Sequence, residues 1–220
     1  MASFFNLILD TLAPGGLTLK INDGATYTTT QAVTLKIAVT DTDTTGYQMK
    51  IWGIDGTASE ANATWQSFAA TKSVTLPTGD GLKTIYVKVR DDVGNESDVV
   101  SDTITLNTVV PTVTITGPDR SKISKVDGYD AAAFSFMADV LFTEYKVCVV
   151  TANNSLEGAG KVIGTAHGST NTSGTGGSYA ADTAINVTIK GADLEATSSG
   201  DGTKIIKVFV KNEAGTWSVA

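Results

Sequence analysis

With 220 residues, a formal charge of −7 and a single cysteine, the chain has room for two domains of about 100 residues, each large enough to bury its own apolar core. The acidic balance argues against a nucleic-acid partner, whose phosphates need clustered Lys and Arg, and favours solubility instead. Cys148 alone excludes an intramolecular disulfide, and no run of the sequence is long and apolar enough to read as a membrane-spanning helix.

The N-terminus, Met1-Ala2-Ser3-Phe4-Phe5-Asn6-Leu7-Ile8-Leu9-Asp10, has no basic leader and too short an apolar run for a signal peptide. It predicts a product made in the cytoplasm, with residues 1–11 as a strand or arm. Further on, Val33, Leu35, Ile37 and Val39 alternate with Thr34, Lys36 and Ala38, the two-residue period of a strand with one face on a core. Strands are predicted at 17–22, 32–39, 46–52, 72–76, 83–91 and 99–106, then at 112–116, 133–140, 144–151, 184–189 and 204–212. Helical periodicity is nearly absent.

Two of these strands match each other. Gly79-Asp80-Gly81-Leu82-Lys83-Thr84-Ile85-Tyr86-Val87-Lys88-Val89-Arg90 is echoed 121 residues later by Gly200-Asp201-Gly202-Thr203-Lys204-Ile205-Ile206-Lys207-Val208-Phe209-Val210-Lys211, and Gly94 by Gly215. The chain is therefore a tandem repeat, with domains at 12–108 and 109–220. Ile85, Val87 and Val89 correspond to Ile206, Val208 and Val210, so the core face is kept while the outer face changes. After its hairpin the first copy continues through Val100 to Thr108, whereas the second reaches Ala220 with no counterpart of that last strand. A similar stretch stands at the other end: Leu7-Ile8-Leu9-Asp10-Thr11, followed by Pro14, lines up with Ile104-Thr105-Leu106-Asn107-Thr108, followed by Pro111.

Short strands, turns rich in Gly, Asp, Asn and Thr, and a repeat near 100 residues indicate an all-β protein of two tandem antiparallel β-sandwiches. The segment GDGLKTIYVKVRDDVGNESDVVSDTITLNT with Pro111 resembles the immunoglobulin-like repeats found in tandem in bacterial surface proteins and bacteriophage structural proteins. In the second copy the resemblance is weaker, Asp91-Asp92-Val93-Gly94-Asn95 becoming Asn212-Glu213-Ala214-Gly215-Thr216. Pro14 and Pro111 lie 97 apart against 121 for the Gly-Asp-Gly segments, so the second copy is about 24 residues longer. Much of the excess falls in 152–178, a stretch of Gly, Ser, Thr and Asn that reads as a long surface loop, either mobile or docked on a neighbour.

Asp41, Asp43, Asp55, Asp91 and Asp92 are candidates for calcium at the sandwich ends, although Asp is also a turn residue by its side-chain chemistry, and that role is the stronger reading. Trp52 and Trp65 offer a sugar-stacking platform or the edge of a core. Cys148, in the run Val147-Cys148-Val149-Val150, reads as a buried structural thiol. With His167 the one histidine, no Gly-x-Ser-x-Gly elbow and no Cys/His cluster, the sequence points to neither catalysis nor a cofactor. The missing strand instead directs attention to assembly. Phe4, Phe5, Leu7 and Leu9 at one end, and Ile206, Val208, Val210 and Trp217 at the other, are the candidate interface. The expected function is that of a multi-copy virion structural protein, in a capsid or tail, with other virion subunits or copies of itself as partners and a host-surface glycan as a further candidate. The alternative is a repeat segment of a bacterial surface adhesin.

Overall fold

The alternating apolar residues become paired strands. In the computed structural model, which describes residues 6–219, the chain divides into units Met1–Thr108 and Val109–Ala220.

Unit 1 contains β1 (Thr18–Ile21), β2 (Tyr27–Thr28), β3 (Ala32–Ala38), β4 (Gln48–Trp52), β5 (Gln66–Ser67), β6 (Thr71–Thr75), β7 (Gly81–Arg90) and β8 (Val100–Leu106). One sheet runs β1-β3-β6 and the other β2-β8-β7-β4-β5. All pairings are antiparallel except the short contact of β2 with β8. Leu19, Ile21, Val33, Leu35, Ile37, Met49, Ile51, Ile85, Val87, Val89, Ile104 and Leu106 close one buried cluster between the sheets. Each such side chain contributes about 2 kcal/mol on leaving water.

Unit 2 contains β9 (Val113–Thr116), β10 (Ala131–Ala138), β11 (Phe142–Val150), β12 (Lys161–Val162), β13 (Ser173–Tyr179), β14 (Ile185–Lys190) and β15 (Ile205–Asn212), with a short helix α1 (Gly191–Thr197) after β14. One sheet runs β14-β10-β9; in the other, β12 and β13 pair with β11, which also pairs with β15. Its core is more aromatic: Phe136, Phe142, Tyr145 and Tyr179 form a cluster with ring centroids 4.9–6.3 Å apart. Among the described residues no helix is long and apolar enough to cross a membrane.

Two expectations are corrected. The stretch 152–178 is a folded insertion and not a mobile loop: it supplies β12 and most of β13, and Ile163, Ser169 and Thr172 are buried. Its small residues fit because Gly160 and Gly174 pack where a side chain would collide with Cys148 and Tyr145. The N-terminal arm forms no strand over its described residues, 6–15; Leu7, Ile8, Leu9 and Leu12 stand 80–90% exposed. Phe4 and Phe5 lie outside the described residues.

Candidate assembly surface

In unit 1, β8 closes the sandwich. It lies antiparallel along β7 with Gly81 opposite Leu106, Lys83 opposite Ile104 and Val87 opposite Val100, which places Ile104 and Leu106 in the core. Past its end, the Thr108 amide and hydroxyl both donate to the Asp80 carboxylate, at 3.0 and 2.9 Å. On the opposite sheet, the Ile21 amide donates to Asp102 of β8 at 2.7 Å.

In unit 2 the corresponding strand is β15, and among the described residues no counterpart of β8 lies along it. β15 pairs on one side with β11; along residues 205–208 of its other side no strand is paired among the described residues, while the Lys211–Trp217 bridge and the Ser218 amide on the Val210 carbonyl close the far end. A cleft of about 830 Å³ opens beside this edge, lined by the apolar side chains Ile115, Phe134, Ile189, Leu194 and Ile206, by Arg120 and Lys122 of the segment after β9, and by residues 201–204. Ile115 stands opposite Phe136, which is fully buried, so it points to the core side of its sheet yet remains 43% exposed. A core-facing isoleucine half in water marks the place where a covering strand is absent. Next to the lining residues Ile189 and Ile123, the Gly191 amide donates to the Asp130 carbonyl at 2.7 Å, Lys190 pairs with Asp130 at 2.7 Å, and a side chain at position 191 would strike the Ser124 carbonyl.

The structure narrows the interface set. Val208 and Val210 are buried in the unit 2 core, so their side chains are closed to a partner. Ile206 lines the cleft. Trp217 lies off the open edge, over the outer face, with the Lys146 and Lys211 ammonium groups 4.6 and 5.4 Å from its ring. Leu7 and Leu9 are free of contacts that would bury them.

Three of the acidic candidates accept backbone amides, Asp91 and Asp43 within their own turns and Asp41 from a distant segment. The Asp91 carboxylate accepts the amides of Val93 and Asn95 and the Asn95 side chain at 2.7–3.0 Å. Burial pushes its pKa up, but these hydrogen bonds outweigh burial and hold it below the usual carboxylate range. Asp43 accepts the Thr45 amide and Asp41 the Gly15 amide. Among the described residues, no three His, Cys, Asp or Glu side chains gather as a group able to hold a metal ion. Trp52 stacks on Tyr86, with centroids 5.5 Å apart, and Trp65 lies between Lys50 and Arg90 at 5.0 and 4.4 Å, so both rings are engaged by their own sheet.

One cluster went unread in the sequence. Asp193 of α1 is buried and accepts the His167 and Ser169 amides and the His167 ring Nδ1, all at 2.9–3.0 Å. Burial works against its charge, yet the hydrogen bonds from Ser169 and His167 prevail and bring its pKa to about 2. The Ser169 hydroxyl receives the Lys190 amide at 2.8 Å, which anchors the loop and is not the geometry of a nucleophile facing His167. Cys148 is fully buried beneath the insertion, and desolvation raises its thiol to about 11.

No protein-family model matches the chain, and no curated protein is similar to it. Among solved structures, fibronectin(III)-like modules of Clostridium thermocellum CbhA are 14% identical over 92% of this chain and 90% of theirs, with a TM-score of 0.46. The D00-D0 domain of intimin is 15% identical over 92% of this chain and 96% of its own, with a TM-score of 0.32. A chitinase, ChiA74 from Bacillus thuringiensis, is 12% identical; the match spans 92% of this chain but 30% of the chitinase, with a TM-score of 0.33. Likenesses at this level assign neither a family nor an activity.

Proposed function

We propose that this chain is a non-enzymatic subunit of a repeating assembly, a bacteriophage virion component present in many copies on a capsid or tail. One observation carries the reading: the arm exposes Leu7, Ile8, Leu9 and Leu12 to water together, at 80–90%. A contiguous apolar segment on the surface of a soluble protein marks an interaction site. The immunoglobulin-like repeat supplies rigid sandwiches on which such a contact can be repeated, and the repeats that the Gly79–Pro111 region resembles, those of bacterial surface proteins and bacteriophage structural proteins, include virion components among their members. Other virion subunits and further copies of this chain are then its partners. The same tandem architecture also fits a repeat segment of a bacterial surface adhesin, with display or glycan binding as its role.

Mass spectrometry of purified particles from the source separates the two. The virion reading expects the chain in multiple copies per particle. Its absence from particles, with the sequence recovered inside a long exported repeat protein, overturns that reading in favour of the adhesin.

A further inference from the structure

We infer that residues 7–11 of one copy add in antiparallel fashion along residues 202–204 of a second copy, the segment that leads into β15 of unit 2, inserting Leu7 and Leu9 into the cleft lined by Ile115, Phe134, Leu194 and Ile206. The inference deepens the assembly reading and rests on it.

The register follows from the two internal offsets. Gly81 and Lys83 of β7 correspond to Gly202 and Lys204, and Ile104 and Leu106 of β8 correspond to Leu7 and Leu9. Unit 1 pairs Gly81 with Leu106 and Lys83 with Ile104, so the added strand sets Gly202 opposite Leu9 and Lys204 opposite Leu7. Because side chains alternate along a strand, this register points Leu7 and Leu9 together into the cleft and leaves Ile8 outside, as Thr105 is. The cleft is large enough for two leucines, and its uncovered walls, Ile115 and Ile206, belong to residues facing the core side. A polar lock completes the match. Thr108 donates twice to Asp80 in unit 1; Thr11 stands where Thr108 does, and Asp201, at the rim of the cleft, stands where Asp80 does. A single stretch of this chain thus carries the apolar spacing, the hydrogen-bonding threonine and the following proline of the strand that the cleft lacks. Within its own unit the Asn95 side chain reaches the Asp10 carbonyl at 3.4 Å, a long hydrogen bond that costs little to release. Strand addition of this kind takes affinity from the backbone ladder and specificity from the pockets for alternate side chains. Because donor and acceptor lie on different surfaces, the contact is head to tail and generates a ring or a filament.

Cysteine cross-linking of the full-length chain tests the inference, since Cys148 is buried and does not interfere. Leu7→Cys and Lys204→Cys, made in separate proteins and mixed under mild oxidation, should yield a disulfide heterodimer. The double variant should give a ladder of covalent oligomers, and Thr11→Val or Asp201→Ala should lower the yield several-fold without altering the melting of either unit. Leu9→Asp, at a residue exposed in the single chain, should abolish cross-linking with the fold intact. A disulfide formed only within single chains of the double variant overturns the exchange in favour of fold-back. Failure of the mixed pair to cross-link, with both variants folded, also overturns it. Cross-linking failure in a protein still found in particles removes the exchange and leaves the virion reading standing; cross-linking by a protein absent from particles does the reverse.

Discussion

Units 1 and 2 build the same hairpin and then part ways. After β7, the Ser97 amide returns to the Val89 carbonyl at 2.8 Å while its hydroxyl receives the Val89 amide at 3.1 Å; after β15, Ser218 does the same with Val210 at 2.8 and 3.2 Å. The turn inside is closed by Asp91 in one unit and by Asn212 in the other, which accepts the Thr216 amide and donates to the Val109 carbonyl. Beyond the serine, unit 1 spends seven residues on β8 and seals its core, whereas in unit 2 no strand among the described residues pairs with residues 205–208 of β15 on that side, and a cleft opens beside them. The outer faces differ too. Trp52 against Tyr86 in unit 1 gives way to Cys148 against Lys207 in unit 2, where the inserted strands fold over the small thiol. The lesson is that a local hairpin motif survives divergence because its hydrogen bonds close within ten residues or so, while the closing of the sandwich depends on a strand outside that motif.

The largest test of the equivalence lies in the core. Val87→Asp and Val208→Asp each bury an unpaired charge and should cost about 4 kcal/mol or more, unfolding the host unit and leaving the other's calorimetric transition in place. Tyr86→Asp, on the outer face, should cost much less, and equal losses at positions 86 and 87 would refute the strand phase.

Asp193 sharpens the contrast, because unit 1 has no counterpart of α1. Asp193→Ala strands the buried Ser169 amide and the half-buried His167 amide and should lower unit 2 stability by about 2 kcal/mol. Its folded pKa, about 2, is below the ordinary 3.8. The carboxylate's stabilisation is therefore complete above about pH 4 and is lost as pH falls towards 2. Melting of the second transition between those values should show the loss in wild type and a weaker dependence in the Ala variant.

Smaller effects should follow in the hairpins. Asp91→Ala removes three hydrogen bonds to a charged acceptor and should cost about 2 kcal/mol, against about 1 for Asn212→Ala, while Ser97→Ala and Ser218→Ala should each cost about 1 and match one another. Denaturant titration of each unit measures the order, and a reversal at the turns would mean that the two hairpins are held differently. Smallest of all, Cys148→Ala should be tolerated better than a large-to-small change deep in the core, and the native thiol, held near 11, should resist a disulfide reagent until unit 2 unfolds.

Much of this fold was readable before any coordinates. Every strand longer than three residues except β13 lies within two or three residues of a predicted one, because a one-sided strand writes its burial as strict alternation, as Ile85, Val87 and Val89 do. β13 escaped because Ser173-Gly174-Thr175-Gly176-Gly177-Ser178 has no alternation to read: its partner β11 supplies the aromatic rings, and Gly174 and Gly177 make room for Tyr145 and Tyr179. Likewise α1 is too short to show a helical period, and the Asp193 anchor joins residues 24 and 26 positions apart with no motif to announce them.

What the sequence by itself determined is the local and periodic part: two copies, the phase of their core faces with Val208 and Val210 turned inward, the hairpin turns and the buried cysteine. Tertiary structure alone decided which parts of those faces are covered. It set Trp217 aside on a face and left Ile115 half in water above an open cleft. The physical reason is that alternation records which side of a strand faces a core, whereas the presence of a cover over that core depends on segments far apart in the chain, and their meeting leaves no period in the sequence.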